Sequence, residues 1–285
     1  VPLYSTKTLR YSLKKKSISI SRSIHAHFKT IPVLELYGTH FPYKRFFLPE
    51  LALSSFQIPN TMLGRQAEAI FENCIKESLS YKLITANIQI QGANNTLGEL
   101  DYLLEEKTTG MQVHVELSCK FYLFDTNNHT SFEGKWIGPN RKDTLLDKVI
   151  KLREKQFPLL FHPDTKASLE ALQFDPKKAR QECYIATSLY IPKGYAVTLL
   201  PEAYQKCVVG YYEYFKNLVL DNGYSYAIPS KKEWLLPPQY ITAWFSAADI
   251  HAKILEAIQH KKAPQIYKKN GTHIEKLFVV WWEES

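Results

Sequence analysis

The 285-residue sequence has no apolar run of the roughly 18 residues that a membrane-spanning helix needs, so it predicts no membrane segment. It has only four cysteines, and they lack the paired spacing typical of zinc sites. Internal repeats, low-complexity segments and the long apolar stretch of a secretory signal are also missing. These absences favour a cytoplasmic globular protein with reduced cysteines, and we expect buried thiols at Cys119 and Cys183.

Acidic residues are absent from residues 1–34, which contain seven lysines and arginines. The formal net charge of +8 favours a polyanionic partner such as nucleic acid, but removing these seven charges leaves only +1. We therefore expect residues 1–34 to be a basic leader outside the core. Residues 1–25 resemble an organellar transit peptide, so an organellar location is the alternative to a cytoplasmic one. A second interpretation of this leader is that it is an upstream extension of a protein that begins later.

Hydrophobic periodicity predicts the order helix, three strands, helix, strand over the middle of the chain. This order indicates an α/β fold with a mixed central sheet flanked by helices. We expect a core over residues 35–195 and a C-terminal α+β extension over residues 196–285 that packs on it. The predicted core elements span residues 61–80, 82–91, 99–105, 113–123, 143–157 and 181–191, and a helix at 247–260 and a strand at 274–282 follow.

Two consecutive predicted strands carry carboxylates that a two-residue period brings to one face of a hairpin. Asp101 lies on the first strand, and Glu116 and Lys120 share a face of the second. Mg²⁺ is commonly held by one or two carboxylates and keeps waters or substrate phosphates. A nearby lysine suits the orientation of an attacking water or the charge that develops on phosphorus. A solvated sheet face with a cross-strand ion pair is the alternative, although aspartate is depleted in strands.

Four sequence blocks around these residues carry a family resemblance: LGRQAE (Leu63–Glu68), LGELDYLL (Leu97–Leu104), HVELSCKFYL (His114–Leu123) and WIGPNRKDTLLDK (Trp136–Lys148). With the order of elements, they resemble the PD-(D/E)xK nuclease superfamily, whose core is helix, three strands, helix, strand. The closer resemblance is to a bacterial family of unknown function assigned to that superfamily. It implies a restriction-endonuclease-like core.

The resemblance also implies roles for four residues. Asp101 and Glu116 would bind Mg²⁺ or Mn²⁺, Lys120 would be the catalytic lysine, and Glu68 on the first helix would be an accessory acid. The implied activity is metal-dependent hydrolysis of phosphodiester bonds in DNA.

Two positions depart from the superfamily pattern. Leu100 stands where a proline would precede the aspartate, and Ser118 stands where an acid would lie two residues before the lysine. The alternatives are therefore an inactive nuclease-fold module that binds nucleic acid or protein, and a metal-dependent phosphohydrolase that acts on small substrates.

The loop before the second helix is a further candidate contact for nucleic acid. Arg141 and Lys142 follow a Gly-Pro-Asn turn and are candidates for phosphate contacts, with a solvated loop as the alternative. Asp143 is predicted to be an N-cap or first-turn acid of that helix. The tyrosines at 211–214 favour the buried stripe of a helix over a platform that stacks bases.

Overall fold

The computed structural model describes residues 28, 31–36, 41–49, 59, 61–128 and 130–283. Ten strands are present in these ranges. They are β1 (Lys44–Arg45), β2 (Tyr81–Gln91), β3 (Thr96–Glu106), β4 (Gln112–Phe124), β5 (Trp136–Ile137), β6 (Arg180–Pro192), β7 (Val208–Tyr214), β8 (Ser225–Ala227), β9 (Gln265–Asn270) and β10 (His273–Val280).

The helices in the same ranges are mostly short. They are α1 (Leu63–Lys76), α2 (Leu145–Lys151), α3 (Phe157–Leu159), α4 (Lys166–Ala171), α5 (Glu202–Gln205) and α6 (Ala247–Gln259), and a π-helical turn (Leu152–Gln156) joins α2 to α3. Single 3₁₀ turns lie at Glu133–Lys135, Pro163–Thr165, Val197–Leu199, Phe215–Asn217, Lys231–Glu233 and Pro238–Tyr240.

All ten strands belong to one mixed sheet. Its order is β2-β3-β4-β6-β7-β10-β9-β8, with β1 beside β6 and β5 beside β4. Strands β2, β3 and β4 are antiparallel neighbours, whereas β4, β6 and β7 are parallel. The predicted α/β class, with a mixed sheet flanked by helices, is confirmed. Apart from the two-residue β5, the order helix, three strands, helix, strand runs from α1 to β6.

Helices cover both faces of the β2-β3-β4 region because alternate strand residues are apolar on each side. On one face Phe71 of α1 packs against Tyr102, with their ring centroids 4.7 Å apart. On the other face Leu103 belongs to a buried cluster with Leu159 of α3. The face covered by α2 and α3 is the one that carries the site described below.

The C-terminal segment extends the same sheet. The predicted helix over tyrosines 211–214 is wrong, because these residues form part of β7 and pair in parallel with β10. A Cβ on Gly210 would lie 2.1 Å from the carbonyl oxygen of Lys276, so glycine permits this close approach. The expected helix at 247–260 and strand at 274–282 correspond to α6 and β10.

Part of the predicted basic leader contacts the core. Phe28 is buried and lies against Tyr184, with ring centroids 6.0 Å apart. The amide of Leu34 donates a 2.9 Å hydrogen bond to the carbonyl of Ile185 on β6. The predicted transit-like segment, residues 1–25, lies outside the described residues.

The four cysteines are free thiols. Cys183 is buried, as predicted, and Cys119 is half-buried. No helix in the described ranges combines the length and apolar character that crossing a membrane requires.

Candidate active site

Asp101 and Glu116 lie on the antiparallel strands β3 and β4, each next to the last residue pair of the ladder between them. That pair is Tyr102 with Val115, and its register brings the two acids to neighbouring places on one face of the sheet. The Oδ2 atom of Asp101 accepts a 2.8 Å hydrogen bond from the backbone amide of Leu117. The negative charge of Glu116 also acts on the carboxyl group of Asp101. The structure thus brings together the two residues that the sequence predicts as metal ligands.

Both carboxylate oxygens of Glu116 are held by neutral side chains. Glu116 has no solvent exposure. Its Oε1 lies 3.0 Å from Nε2 of His114, and its Oε2 accepts a short hydrogen bond from Nε2 of Gln156. These donors fix the orientation of a carboxylate that could not otherwise remain buried.

His114 is held in one tautomer by Gln181, its neighbour on β6. Gln181 Nε2 donates to the carbonyl oxygen of Phe157 at 2.8 Å and lies 3.1 Å from Nδ1 of His114. Because Nδ1 accepts from this amide, the ring proton is on Nε2 and points to Glu116. Burial lowers the pKa of His114 to about 4, so the ring is a neutral donor at physiological pH.

Burial raises the pKa values of both carboxyl groups. For Asp101 the pKa rises to about 7, first because of burial and then because of the negative charge of Glu116. For Glu116 burial also raises the pKa to about 7, and Lys148 acts in the opposite direction. The pair therefore binds protons more tightly than exposed carboxylates do.

Lys148 is the functional candidate that sequence analysis missed. Its Nζ donates a 2.8 Å hydrogen bond to Oε1 of Gln156, the residue that donates to Glu116. Burial lowers the pKa of Lys148 to about 8, while Glu116 and Asp101 act to raise it. The helical spacing of the sequence does indicate its position. Lys148 lies three residues after Leu145 and four before Leu152, which are both fully buried, so it belongs to the face of α2 that points to the core.

Lys120 faces a neighbouring cleft and forms an ion pair with Asp143. Lys120 Nζ lies 2.6 Å from Oδ2 of Asp143, and both side chains are partly exposed. The prediction that Asp143 caps α2 is wrong. Thr144 is the N-cap residue, with Asp147 completing a capping box, so the Asp143 carboxylate remains available to Lys120.

The carboxylate of Asp143 fits its place because residue 138 is glycine. A Cβ at Gly138 would lie 2.3 Å from Oδ1 of Asp143. The amide of Gly138 also donates a 2.8 Å hydrogen bond to the carbonyl of Asp143, which closes the loop.

Glu68 lies on α1, the helix that packs on the face of the sheet opposite the carboxylate pair. Its side chain forms an ion pair with Arg65 at 3.2 Å, and its backbone carbonyl accepts a 3.0 Å hydrogen bond from the hydroxyl of Tyr102. Burial, then Asp101, then Glu68 raise the pKa of Glu99. Asp101 and Glu68 thus each act on Glu99, whereas the described contacts of Glu68 itself are with Arg65 and Tyr102.

The two predicted phosphate contacts differ in availability. Arg141 is held by Asp125 at 2.7 Å and by Asn128 at 3.1 Å, so its guanidinium is already bound within the protein. Lys142 is exposed. Of the two, Lys142 is the better placed to meet a phosphate.

Comparison with known proteins places the chain in a family. A family model described as a domain of unknown function (DUF1853) matches residues 49–280. The chain belongs to the DUF1853 family. None of the curated proteins and none of the solved structures matches it significantly.

The carboxylate pair of this DUF1853 domain fits Mg²⁺ or Mn²⁺ in number and kind of donor. Within the described ranges no group of three or more histidine, cysteine, aspartate or glutamate side chains is arranged to hold a metal. Mg²⁺ commonly needs only one or two carboxylates, with waters or substrate phosphates completing its shell. Each oxygen of Glu116 retains acceptor capacity beyond the hydrogen bond it already accepts. Asp101 and Glu116 are therefore the residues that would hold the ion.

Proposed function

We propose that this protein is a Mg²⁺-dependent nuclease of the PD-(D/E)xK type that hydrolyses phosphodiester bonds of DNA. The observation that carries the proposal is the Asp101–Glu116 pair, in which a half-buried and a fully buried carboxyl group lie on neighbouring strands. Two negative charges that lie close together with little access to water repel each other, and a divalent cation between them would relieve that repulsion.

The arrangement of elements supports the superfamily assignment. Helix α1, the antiparallel β2-β3-β4 unit, α2 and the parallel strand β6 follow in the order of a restriction-endonuclease-like core. Asp101, Glu116 and Lys148 lie on β3, β4 and α2, next to the junction of antiparallel and parallel pairing at β4.

The residues of the chain divide the chemistry between them. When bound, Mg²⁺ would supply Lewis-acid stabilisation of the charge that develops on the phosphoryl oxygens. His114 and Gln156 orient Glu116, while Lys148 supplies a positive charge beside the carboxylate pair. Lys120, four residues beyond Glu116 and about 13 Å farther along the strand, presents its ammonium to a phosphate in the cleft.

An inactive nuclease-fold module that binds nucleic acid or protein is the second candidate. It is favoured by the closed set of contacts around Glu116, in which His114 and Gln156 occupy both oxygens and Lys148 is the nearby cation. In that case the Lys148 charge takes the place of the metal, and the network serves the stability of the fold.

Metal binding and cleavage distinguish the two candidates. Purified protein is incubated with plasmid and with single-stranded DNA in Mg²⁺, Mn²⁺ or EDTA, and Mn²⁺ binding is measured by calorimetry. We expect metal-dependent cleavage by the wild type, loss of metal binding in Asp101→Asn, and loss of cleavage with retained folding in Lys120→Ala. Asp164→Asn and Lys166→Ala, exposed residues of the Pro163–Ala171 region, are matched controls that should behave as wild type.

Each outcome has a definite consequence. Unchanged cleavage in Lys120→Ala would refute the lysine assignment, and equal Mn²⁺ affinity in Asp101→Asn would refute the metal site. A folded wild type that neither binds Mn²⁺ nor cleaves DNA would establish the inactive module.

A further inference from the structure

A cleft of about 490 Å³ lies beside Lys120, outside the carboxylate pair. It is bounded by the start of α1, by the part of β4 around Lys120, by the loop before α2 and by the 3₁₀ turn Lys231–Glu233. Its volume is within the range of binding sites for small molecules and cofactors. The C-terminal extension therefore completes a cavity that opens next to the proposed catalytic lysine.

The rim of the cleft is positively charged. Lys120, Lys231 and Lys232 line it, and Asp143 is the carboxylate among the described residues that line it. Glu233, which follows the two lysines, turns away because its Oε2 accepts a 2.8 Å hydrogen bond from the backbone amide of Ser230. This contact also holds the turn that presents Lys231 and Lys232.

The start of α1 adds to the positive character of this rim. Met62, at the N-cap position, provides no side-chain cap, and the first turn contains no acidic residue. Gly64 lies at the cleft in that first turn. The backbone amides of the first turn and the helix dipole favour an anion in the same place as the lysines.

The wall of the cleft is apolar. Phe121 and Trp234 pack together with ring centroids 4.9 Å apart and both line the cavity. Met62 stands at the edge with 70% of its surface exposed. A cationic rim above an apolar, aromatic wall is the combination that binds the phosphates and the base faces of an unpaired strand.

We infer that this cleft binds single-stranded nucleic acid, with phosphates on Lys231 and Lys232 and the chain directed toward Lys120. The unpaired strand is favoured over a duplex because the apolar wall needs base faces, which a duplex keeps stacked. The role of this strand as a substrate rests on the proposed function. Its binding to the cleft does not.

The test uses fluorescence anisotropy with labelled 15-nucleotide DNA and RNA strands and a 15-base-pair duplex, all in EDTA. The full-length wild type is compared with Lys231→Gln/Lys232→Gln and with Lys177→Gln/Lys178→Gln, a pair of adjacent exposed lysines before β6. We expect the first variant to bind single strands at least tenfold more weakly and the second to bind within twofold of wild type. The slope of log K against log salt should fall by about 0.7 for each lost phosphate contact.

The outcomes separate this inference from the proposed function. Equal affinity of the Lys231→Gln/Lys232→Gln variant and the wild type, or tighter binding of the duplex, would overturn the inference. Comparing the DNA and RNA strands identifies which sugar the cleft prefers. Tighter binding of either single strand than of the duplex supports the inference. If the cleft binds strands in EDTA but Mg²⁺ produces no cleavage, the proposed function fails while the binding site stands.

Discussion

The backbone amide of Leu117 on β4 donates a 2.8 Å hydrogen bond to the carboxylate of Asp101 on β3. This bond ties the Asp101 side chain to the neighbouring strand at the residue that follows Glu116. The two acids are therefore held close together by the sheet itself. The repulsion between two like charges that the fold keeps close, with little access to water, is relieved by protonation or by a nearby cation.

Asp101→Asn should increase stability at alkaline pH. Both carboxyl groups have pKa values raised to about 7 in the folded protein, above the ordinary values of 3.8 and 4.5. The folded state thus binds protons more tightly than the unfolded state, and the wild type loses stability as pH rises from about 4 to 7. The variant keeps an acceptor for Leu117 but removes one charge, so its free energy of unfolding at pH 8 should exceed that of wild type by about 1 kcal/mol.

Urea unfolding at pH 5 and pH 8 in EDTA measures this difference. Asp164→Asn, on an exposed 3₁₀ turn, is the control and should leave the pH dependence unchanged. Parallel pH dependences for wild type and Asp101→Asn would show that the two carboxyl groups do not repel each other in the folded state.

Gln156→Leu should destabilise the protein by about 1–3 kcal/mol, because it leaves a buried oxygen of Glu116 without its donor and Lys148 without its acceptor. Chemical denaturation at pH 7 gives the value. Gln91→Leu removes an exposed hydrogen bond with Thr96 and should change stability by less than about 0.5 kcal/mol. Equal small effects for both variants would mean that Gln156 does not support Glu116.

The central part of the fold and the carboxylate pair were predictable from local patterns. A two-residue period places Asp101 on one face of β3 and Glu116 on one face of β4, and the short turn between the strands makes them neighbours. The periodicity of α1 similarly follows from its apolar residues at helical spacing. These features depend on residues close in sequence.

The features that sequence analysis missed depend on distant contacts or on competition between adjacent residues. Tyr212 belongs to a strand because it pairs with Phe278, and no local signal encodes that partner. Gln156 reaches Glu116 only because α2 and the π-helical turn pack on the sheet. At the start of α2, Thr144 takes the cap position that the sequence equally allowed to Asp143.

Asp143→Asn should tighten the binding of single-stranded DNA several-fold at low salt. The substitution releases Lys120 from its ion pair and removes the negative charge that lines the cleft. Stability should change by less than about 1 kcal/mol, because the pair is partly exposed. Anisotropy titrations with labelled single-stranded DNA compare Asp143→Asn with Glu170→Gln, which removes a negative charge from an exposed site on α4 and so controls for net charge. Weaker binding by Asp143→Asn than by wild type would contradict the prediction.

The rate of metal-dependent cleavage should have a bell-shaped pH profile with limbs set by the carboxylate pair and by Lys148. The carboxyl groups, with pKa values raised to about 7, must lose protons to hold the cation, so kcat/KM should rise through pH 7. Lys148, with a pKa lowered to about 8 by burial, loses its charge above that pH, so the rate should then fall. Lys148→Arg keeps the charge at every accessible pH and should move the alkaline limb up by more than about one pH unit. Lys151→Arg, at an exposed position on the same helix, is the control and should keep the wild-type profile. If Lys148→Arg has the same alkaline limb as wild type, that limb belongs to another group.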